Sequence, residues 1–586
     1  MCGILLTNKK INNLKYIIEF LKYRGPDFTN HEIINNYNFI HCLLSMTGEF
    51  RPQPFIKNDI VCLYNGEIYN YDEFGKYNTD GECIITVYEK YGTNFVKKLD
   101  GEFALILIDF KKDLLIFSTD IFSIKPLWLS IDKDNIGISS YKSCLERLNF
   151  NNIKQLDSNK THIYKLSNLE KIEEKTVYDF DLKQFKTDYT DWNNAFKKAI
   201  HKRIKDAKHG IFIGLSAGYD SGAIACELNN QNIDFTAYTI MGSENVNIIN
   251  ERNKIIKDHK IINLNKEKFL KSRDTLKKRS EEFLFKIENG EKELYINKLI
   301  LKNKLIDEMY SLIIDVFGDN CDITYIIKNI KDILNKEKNI EKKNKKYWSR
   351  RRKLKKIDNL NKSIKMKENE ISYTLKRLKY RLKGQYVTDD NGSIGVSYIC
   401  SLAKDCSKLI YLSGSGADEI ISDYGFNGIK HYRHSTIAGK FPEKLEEIFP
   451  WANFFGNTQR AYLMKEEIIT ATYGIEGRYP FLDKELIQEF LWLHPDLKNN
   501  NYKSVIYNYL KNNNFPFEEG YKIGFNCGFM NVLNNYKKNE IKQKYKRVGG
   551  NKRKDLLLDY NNIKIIKKYI DDNNIDFEKL INQQDI

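Results

Sequence analysis

Cys2 combines residue type and position in a way that suggests chemistry. Methionine is normally removed ahead of a residue as small as cysteine, which is expected to leave one residue carrying both a thiol and a free α-amino group. With a pKa near ~8, that amine can take the thiol proton while the sulfur attacks a carbonyl. A cysteine at position 2 is more often an accident than a nucleophile, so its surroundings decide. Asn65-Gly66 ends an apolar strand in a turn. An Asn amide and an adjacent Gly N–H can jointly hold a developing oxyanion, worth ~3 kcal/mol per donor. Glu67 and Asp80 offer carboxylates for a substrate ammonium group, and Arg24-Gly25-Pro26-Asp27 forms a rigid turn.

A second set of residues points to phosphate. Ser216-Ala217-Gly218-Tyr219-Asp220-Ser221-Gly222 follows an apolar strand and opens a helix. Small residues let backbone N–H groups approach a phosphate, the helix N-terminus adds partial positive charge, and hydroxyls donate further bonds. The spacing is not that of the kinase and GTPase loop. Leu412-Ser413-Gly414-Ser415-Gly416-Ala417-Asp418-Glu419 follows another strand. Ile475 to Asp483 and Lys522-Ile523-Gly524-Phe525 lie beyond it.

The first set resembles class II glutamine amidotransferases of the N-terminal-nucleophile type. Met1-Cys2-Gly3-Ile4, the turn at 24–27, Asn65 to Asn70, Thr79-Asp80-Gly81-Glu82 and Leu99 to Ala104 stand in that family's order and spacing, and Lys125-Pro126-Leu127 matches a further signature. The second set is similar to the synthetase half of asparagine synthetases, an ATP-pyrophosphatase fold. The resemblance implies an α/β chain in two parts. Residues 1–185 would form a glutaminase αββα sandwich. Residues 186–586 would form a parallel-sheet, adenine nucleotide α-hydrolase-like domain, interrupted by a basic helical insertion at about 266–386.

It also implies roles. Cys2 would form a glutamyl thioester, with Asn65 and Gly66 as oxyanion hole and Ser45, Asn65, Gly66, Glu67 and Asp80 around the glutamine. Leu215, Ser216, Gly218, Asp220, Ser221, Ile240, Ser413, Gly414 and Lys522 would bind ATP and pyrophosphate. Asp220 and Asp418 would bind Mg²⁺, a hard cation suited to carboxylate oxygens. Ser415, Glu476 and Arg478 would face the acceptor and its adenylate. The implied reaction takes glutamine, aspartate and ATP to asparagine, glutamate, AMP and pyrophosphate in the cytoplasm, with room for a homodimer.

This sequence departs from the pattern at informative places. Leu43 stands where the family has an Arg that grips the glutamine carboxylate, and a leucine cannot neutralise a carboxylate. Arg51 is a nearby substitute. Thr119 and Ser123 replace an Arg and a Gly, Ala217 replaces a Gly, and Gly222 replaces a Ser. Ser415 replaces a Glu tied to forming and consuming the aspartyl-adenylate, so either a nearby residue or water compensates, or the acceptor differs or the second half-reaction is weakened. The first alternative function is therefore an amide ligase acting on a sugar acid, a peptide or another carboxylate. The second is a degenerate scaffold whose basic insertion binds nucleic acid or a partner.

The elements that must position these residues follow from periodicity. Asp59–Tyr64, Phe103–Asp109 and Leu114–Ser118 read as strands. Asp191–Asp206 reads as a helix, and Gly210–Leu215, a helix from near Ser221 and Phe235–Ile240 give strand-helix-strand grammar. The chain has 586 residues, 41% of them apolar, with ten scattered cysteines and no apolar run long enough to span a bilayer. Its net charge is +17, yet Lys336 to Lys383 alone holds 20 Lys or Arg against 5 Asp or Glu, so the rest is nearly neutral. That segment reads as a solvated helical hairpin, which outweighs contact with nucleic acid or anionic lipid through 336–383.

Overall fold

The computed structural model describes residues 1–285, 289–318, 321–336, 345–382, 385–520, 525 and 527–529. The chain begins with two six-stranded antiparallel sheets. One runs in the order Lys154–Gln155, Trp128–Asp132, Asn135–Ser139, Gly3–Thr7, Tyr37–Leu43, Phe28–Ile34. The other runs Lys171–Thr176, Lys160–Lys165, Leu114–Thr119, Gly101–Asp109, Ile60–Ile68, Phe55–Lys57. The two-residue period of a strand sorts the side chains. Ile4, Leu6 and Phe39 of the first sheet meet Val61, Leu63, Ile106 and Ile108 of the second in one core. Their neighbours Leu5 and Ile40 face the other way, onto Ile17, Leu21 and Leu145 of short helices. Cys62, Tyr64, Leu105 and Leu107 pack on Ile84, Val87 and Tyr88 of the helix Cys83–Tyr91. The layering is helix, sheet, sheet, helix.

Asn65 and Gly66 do not form the expected turn. The strand Ile60–Ile68 runs through them, pairing Asn65 with Ala104 and Gly66 with Phe103. Gly66 has φ of 139°, and a Cβ there would lie 2.0 Å from the Glu102 carbonyl oxygen. Asn-Gly is used here for a distorted strand backbone that only glycine tolerates.

The second half is built on a five-stranded sheet, all of whose neighbours are parallel. In chain order its strands are Gly210–Gly214, Phe235–Ile240, His259–Ile262, Lys408–Leu412 and Glu476–Arg478, and they lie third, second, first, fourth, fifth across the sheet. Helices cover both faces. Ile211 and Ile213 pack on Ala223, Ile224 and Leu228. Phe212, Tyr238 and Tyr411 pack on Ile394 and Ile399. The order reverses between Gly210–Gly214 and Lys408–Leu412, which makes the carboxyl ends of those two strands the place where such sheets bind ligands.

The two expected domains form one compact unit covering Met1–Phe285 and the described residues from Gln385 on. A single apolar cluster runs from Leu5 and Ile40 to Ile211 and Leu412. The insertion also starts later than 266. Lys266–Arg279 reads as charged, but it buries Phe269 and Leu276 in the core of this first unit. The helices Asn289–Phe317, Ile323–Lys336 and Lys345–Leu382 belong to a second compact unit. Within it Met309, Ile313, Ile326, Ile330, Leu354 and Ile357 make a small core. Lys302–Glu368 and Lys356–Glu308 pair between helices at 2.9 and 2.6 Å. Trp348 is 49% exposed there. Among the described residues no helix is long and apolar enough to cross a membrane.

Candidate functional site

Cys2 lies directly before the strand Gly3–Thr7 and is buried. Its Sγ accepts from the Leu44 N–H at 3.5 Å, and its carbonyl accepts from Arg24 Nε at 3.1 Å. Burial pushes the thiol up to about 11, with the Met1 ammonium pulling the other way. Met1 is itself buried, and its ammonium pairs with Glu476 Oε2 at 2.7 Å. Asn65 is fully buried, and neither its amide nitrogen nor its amide oxygen has a hydrogen-bond partner among the described residues. An unpaired buried amide costs about 1–3 kcal/mol, so both Asn65 amide atoms keep unused hydrogen-bonding capacity.

The carboxylates expected to bind glutamine already hold partners. Asp80 Oδ2 accepts from the Tyr64 hydroxyl at 2.5 Å and the Ile68 N–H at 2.9 Å. Glu67 accepts from the Thr47 hydroxyl at 2.8 Å and pairs with Arg478 at 3.0 Å. Burial raises both pKa values, and Arg478 pulls Glu67 back. The Ser45 N–H donates to Asp27 at 2.8 Å. Leu43 is buried, while Arg51 is 57% exposed and pairs with Glu82, so it is not held over the buried site.

The phosphate-type loop sits at the reversal point of the parallel sheet. Leu215 and Ile240 are buried at the ends of their strands, and the Thr239 hydroxyl donates to the Leu215 carbonyl at 2.7 Å. The Ser216 N–H donates to Ser221 Oγ at 3.0 Å, and the Gly218 N–H donates to Ser216 Oγ at 3.2 Å. Gly218 caps the helix Tyr219–Asn230. Arg252, buried enough to bring its pKa down to about 9, donates to the carbonyls of Ser216 and Gly218, the latter at 3.0 Å. Arg252 also explains Gly222: a Cβ there would lie 2.4 Å from its Nη2. A Gly222→Ser variant is therefore expected to lose about 1–3 kcal/mol through overpacking, read as a lower urea midpoint. Unchanged stability would show that the guanidinium moves freely.

The second loop touches the first. A Cβ on Gly414 would lie 2.9 Å from Asp220 Cβ. Asp220 and Asp418 converge on one buried ammonium: Lys503 Nζ donates to the two Asp220 oxygens at 2.5 and 2.7 Å and pairs with Asp418 at 2.7 Å. Burial opposes that charge, but Asp220 above all holds the Lys503 pKa above the ordinary lysine value. Lys503 stands in a polar stretch with no motif around it, and its φ of 49° at a helix start has no local signature. Only the fold brings it here. Lys522 lies outside the described residues.

Ser415, Glu476 and Arg478 are not gathered as expected. Ser415 Oγ donates to Glu466 at 2.9 Å. Glu476 and Arg478 share one face of the edge strand because they stand two positions apart, with Gly477 between them. There Arg478 Nε donates to Glu476 at 2.8 Å and Nη1 to the Arg203 carbonyl at 2.6 Å. Around this face Arg203 pairs with Glu102 at 2.8 Å and with Asp483 at 3.1 Å, and Lys125 pairs with Glu467 at 3.0 Å, all of them buried. The Ser413 N–H donates to the Arg478 carbonyl at 3.0 Å. Arg478 thus touches Glu67 through its side chain and the second loop through its backbone.

With this geometry in view, residues 1–196 match the family profile described as the glutamine amidotransferase domain. The chain is 28% identical over 320 residues to a putative glutamine-hydrolysing asparagine synthetase 1 of Methanocaldococcus jannaschii, covering 48% of this chain and 55% of that protein. It is 28% identical over 252 residues to asparagine synthetase 1 of Saccharomyces cerevisiae, covering 38% and 43%. For asparagine synthetase 2 of Oryza sativa the match is 28% over 246 residues, covering 38% and 41%. The chain thus spans about half the length of these relatives. A glutamine phosphoribosylpyrophosphate amidotransferase from B. subtilis aligns over 36% of this chain and 60% of its own at 13% identity and a TM-score of 0.25, too low to bear on the fold.

Proposed function

We propose that this protein is a glutamine-dependent asparagine synthetase. It frees ammonia from glutamine at Cys2, adenylates aspartate with ATP, and joins the two with release of AMP and pyrophosphate. The observation that carries this reading is the convergence of Asp220, Asp418 and Lys503 where two Gly/Ser loops meet at the reversal point of a parallel sheet. The amidotransferase match of residues 1–196 and the names of the relatives support the glutamine half.

On this reading, Asn65 and Gly66 hold the oxyanion formed when Cys2 attacks the glutamine side-chain carbonyl. Phosphate oxygens take the Ser216 and Ser221 hydroxyls and the helix N-terminus behind Gly218. There they replace Glu244, whose Oε2 now accepts from the Ala217 N–H at 2.6 Å. Lys503, with Lys522, meets the negative charge that shifts onto pyrophosphate as the aspartate carboxylate attacks the α-phosphorus. Asp220 and Asp418 are two hard oxygen donors beside a phosphate cradle, and they would hold Mg²⁺ there. When bound, that ion neutralises phosphate charge. Ammonia must travel between the two sites as the free base, which a route shielded from water and protons would preserve.

Ser415 favours a second reading, the same chemistry on another carboxylate, because the loop carries no carboxylate of its own at that place. One experiment separates the two. Purified protein is given glutamine, ATP, Mg²⁺ and aspartate, or a panel of other acids, and products are identified by mass. Asparagine with AMP and pyrophosphate is expected. Pyrophosphate release that responds to another acid and not to aspartate supports the second reading. ADP with phosphate, or no acid-dependent product, sinks both.

A further inference from the structure

We propose that Glu466 supplies, through Ser415, the carboxylate that accepts the surplus proton when ammonia becomes an amide. This rests on the ligase reading of the C-terminal site. Glu466 lies on the helix Asn457–Ala471, 51 residues from the loop it serves. Its Oε1 accepts from Ser415 Oγ at 2.9 Å, and its Oε2 accepts from Ser413 Oγ at 2.6 Å. Both loop hydroxyls are thereby fixed as donors to one carboxylate, and each carboxylate oxygen keeps a further lone pair.

The loop does not need Glu466 to hold its shape. The Ser413 N–H is on the Arg478 carbonyl, the Ser415 N–H is on Ser413 Oγ at 3.1 Å, and the Gly416 N–H is on Glu419 at 3.1 Å. Nor, among the described residues, is Glu466 half of an ion pair within 4 Å. Its neighbour Lys465 pairs with Asp390 at 3.2 Å, and its neighbour Glu467 serves the opposite side, on Arg24 and Lys125 at 3.0 Å each. Burial raises the Glu466 pKa while the two hydroxyls draw it down. The titratable groups that face it are Lys465 and Glu467 on its own helix, Cys400 of the helix Asn391–Asp405, Tyr411 of the central strand, and Tyr479. A carboxylate raised toward neutral pH is a better proton acceptor there.

In the step itself, ammonia attacks the acyl carbon of the adenylate and a C–N bond forms. The C–O bond to the AMP phosphate breaks, with its electron pair leaving on AMP. The surplus proton passes from nitrogen through the Ser415 hydroxyl to Glu466. No oxidant or reductant is involved. The carboxylate missing from position 415 is thus provided by a different element at the same loop.

The test uses the full chain with ammonium chloride as nitrogen source, so that Cys2 is not needed. Two readouts are compared: aspartate-dependent ATP–pyrophosphate exchange, and amide formed across pH 6 to 9. Glu466→Gln is expected to keep exchange within about threefold while amide formation falls about 10²–10⁴-fold and loses its acid-limb pH dependence. Ser415→Glu placed in the Glu466→Gln background is expected to recover about tenfold or more of the lost rate, which a packing role cannot explain. Native amide formation by Glu466→Gln overturns the role and leaves the ligase reading standing. Parallel loss of exchange and amide formation with no rescue also overturns the role, since Glu466 is then only structural. Failure of the unaltered protein to exchange with any acid removes the ligase reading and this role together.

Discussion

A Cys2→Ala variant is expected to lose glutamine-driven amide formation by about 10⁴-fold or more, because it removes the thiol that forms the thioester, and burial pushes the adjacent Cys42 thiol up to about 12. Ammonium-driven amide formation should stay within about threefold of the native rate, since among the described residues the Cys2 thiol hydrogen-bonds the Leu44 backbone and its loss leaves a small void. The pH dependence adds a sharper expectation. While Met1 is present the thiol sits at about 11. Only about one molecule in 10⁴ then carries a thiolate at pH 7, and ammonia release should climb tenfold per pH unit up to about pH 10. Once Met1 is removed, Cys2 carries its own amine with a pKa near ~8, and the rate should level off above that value. Ammonia release measured against pH, with intact mass reporting Met1, distinguishes the two forms. Glutaminase activity that survives in Cys2→Ala would end the nucleophile assignment.

Much of this was legible because the chemistry and the backbone demand the same residues. A loop of small residues after one apolar strand, repeated after another, implies a parallel sheet with its loops at one end, and Ser216 and Ser413 lie there. The alternating strands of the first half likewise give Phe103–Asp109 and Leu114–Ser118 within one residue or two of their observed limits. Other features were not legible. Asn65-Gly66 reads as a turn in isolation, and only pairing with Ala104 and Phe103 keeps it extended. Lys465-Glu466-Glu467 reads as a solvated helix face. Instead the helix is packed on two sides, so one glutamate faces the loop serines and the next faces Arg24 and Lys125. Lys503 has no pattern at all, because long-range charge matching places it. The boundary near 266 fails for a related reason: mean charge hides two apolar residues, Phe269 and Leu276, that dock the helix.

Arg478→Met is expected to cost about 3–5 kcal/mol of stability, because it strands two buried carboxylates. The native guanidinium is 2% exposed and lies 3.0 Å from Glu67 and 2.8 Å from Glu476. Without it, among the described residues, Glu67 keeps one hydrogen bond from Thr47, and Glu476 keeps the Met1 ammonium with the Lys125 charge nearby. The sign of the pH effect follows. Burial raises the Glu67 pKa and Arg478 is the chief group opposing it, so in the variant the folded value rises further above an unfolded value near ~4.3. A carboxylate raised in the folded state favours folding below its unfolded pKa, and that benefit drains away as pH climbs through the folded value. Glu476 behaves oppositely: burial works against it, but Met1 and Arg478 depress its pKa, which stabilises the native fold above the unfolded value. The variant forfeits part of that gain. The Glu476 loss is nearly the same at pH 5 and pH 8, both above its unfolded value, so the Glu67 effect makes the deficit larger at pH 8 than at pH 5, which urea unfolding at the two pH values measures. Arg478→Lys should not restore the loss, since a single ammonium cannot span both carboxylates and the Arg203 carbonyl as the planar fork does. Because the Arg478 carbonyl also holds the Ser413 N–H, the same variant should slow pyrophosphate exchange at a loop its side chain never touches. Native stability at both pH values, or exchange untouched despite the lost stability, would separate the two sites that this residue joins.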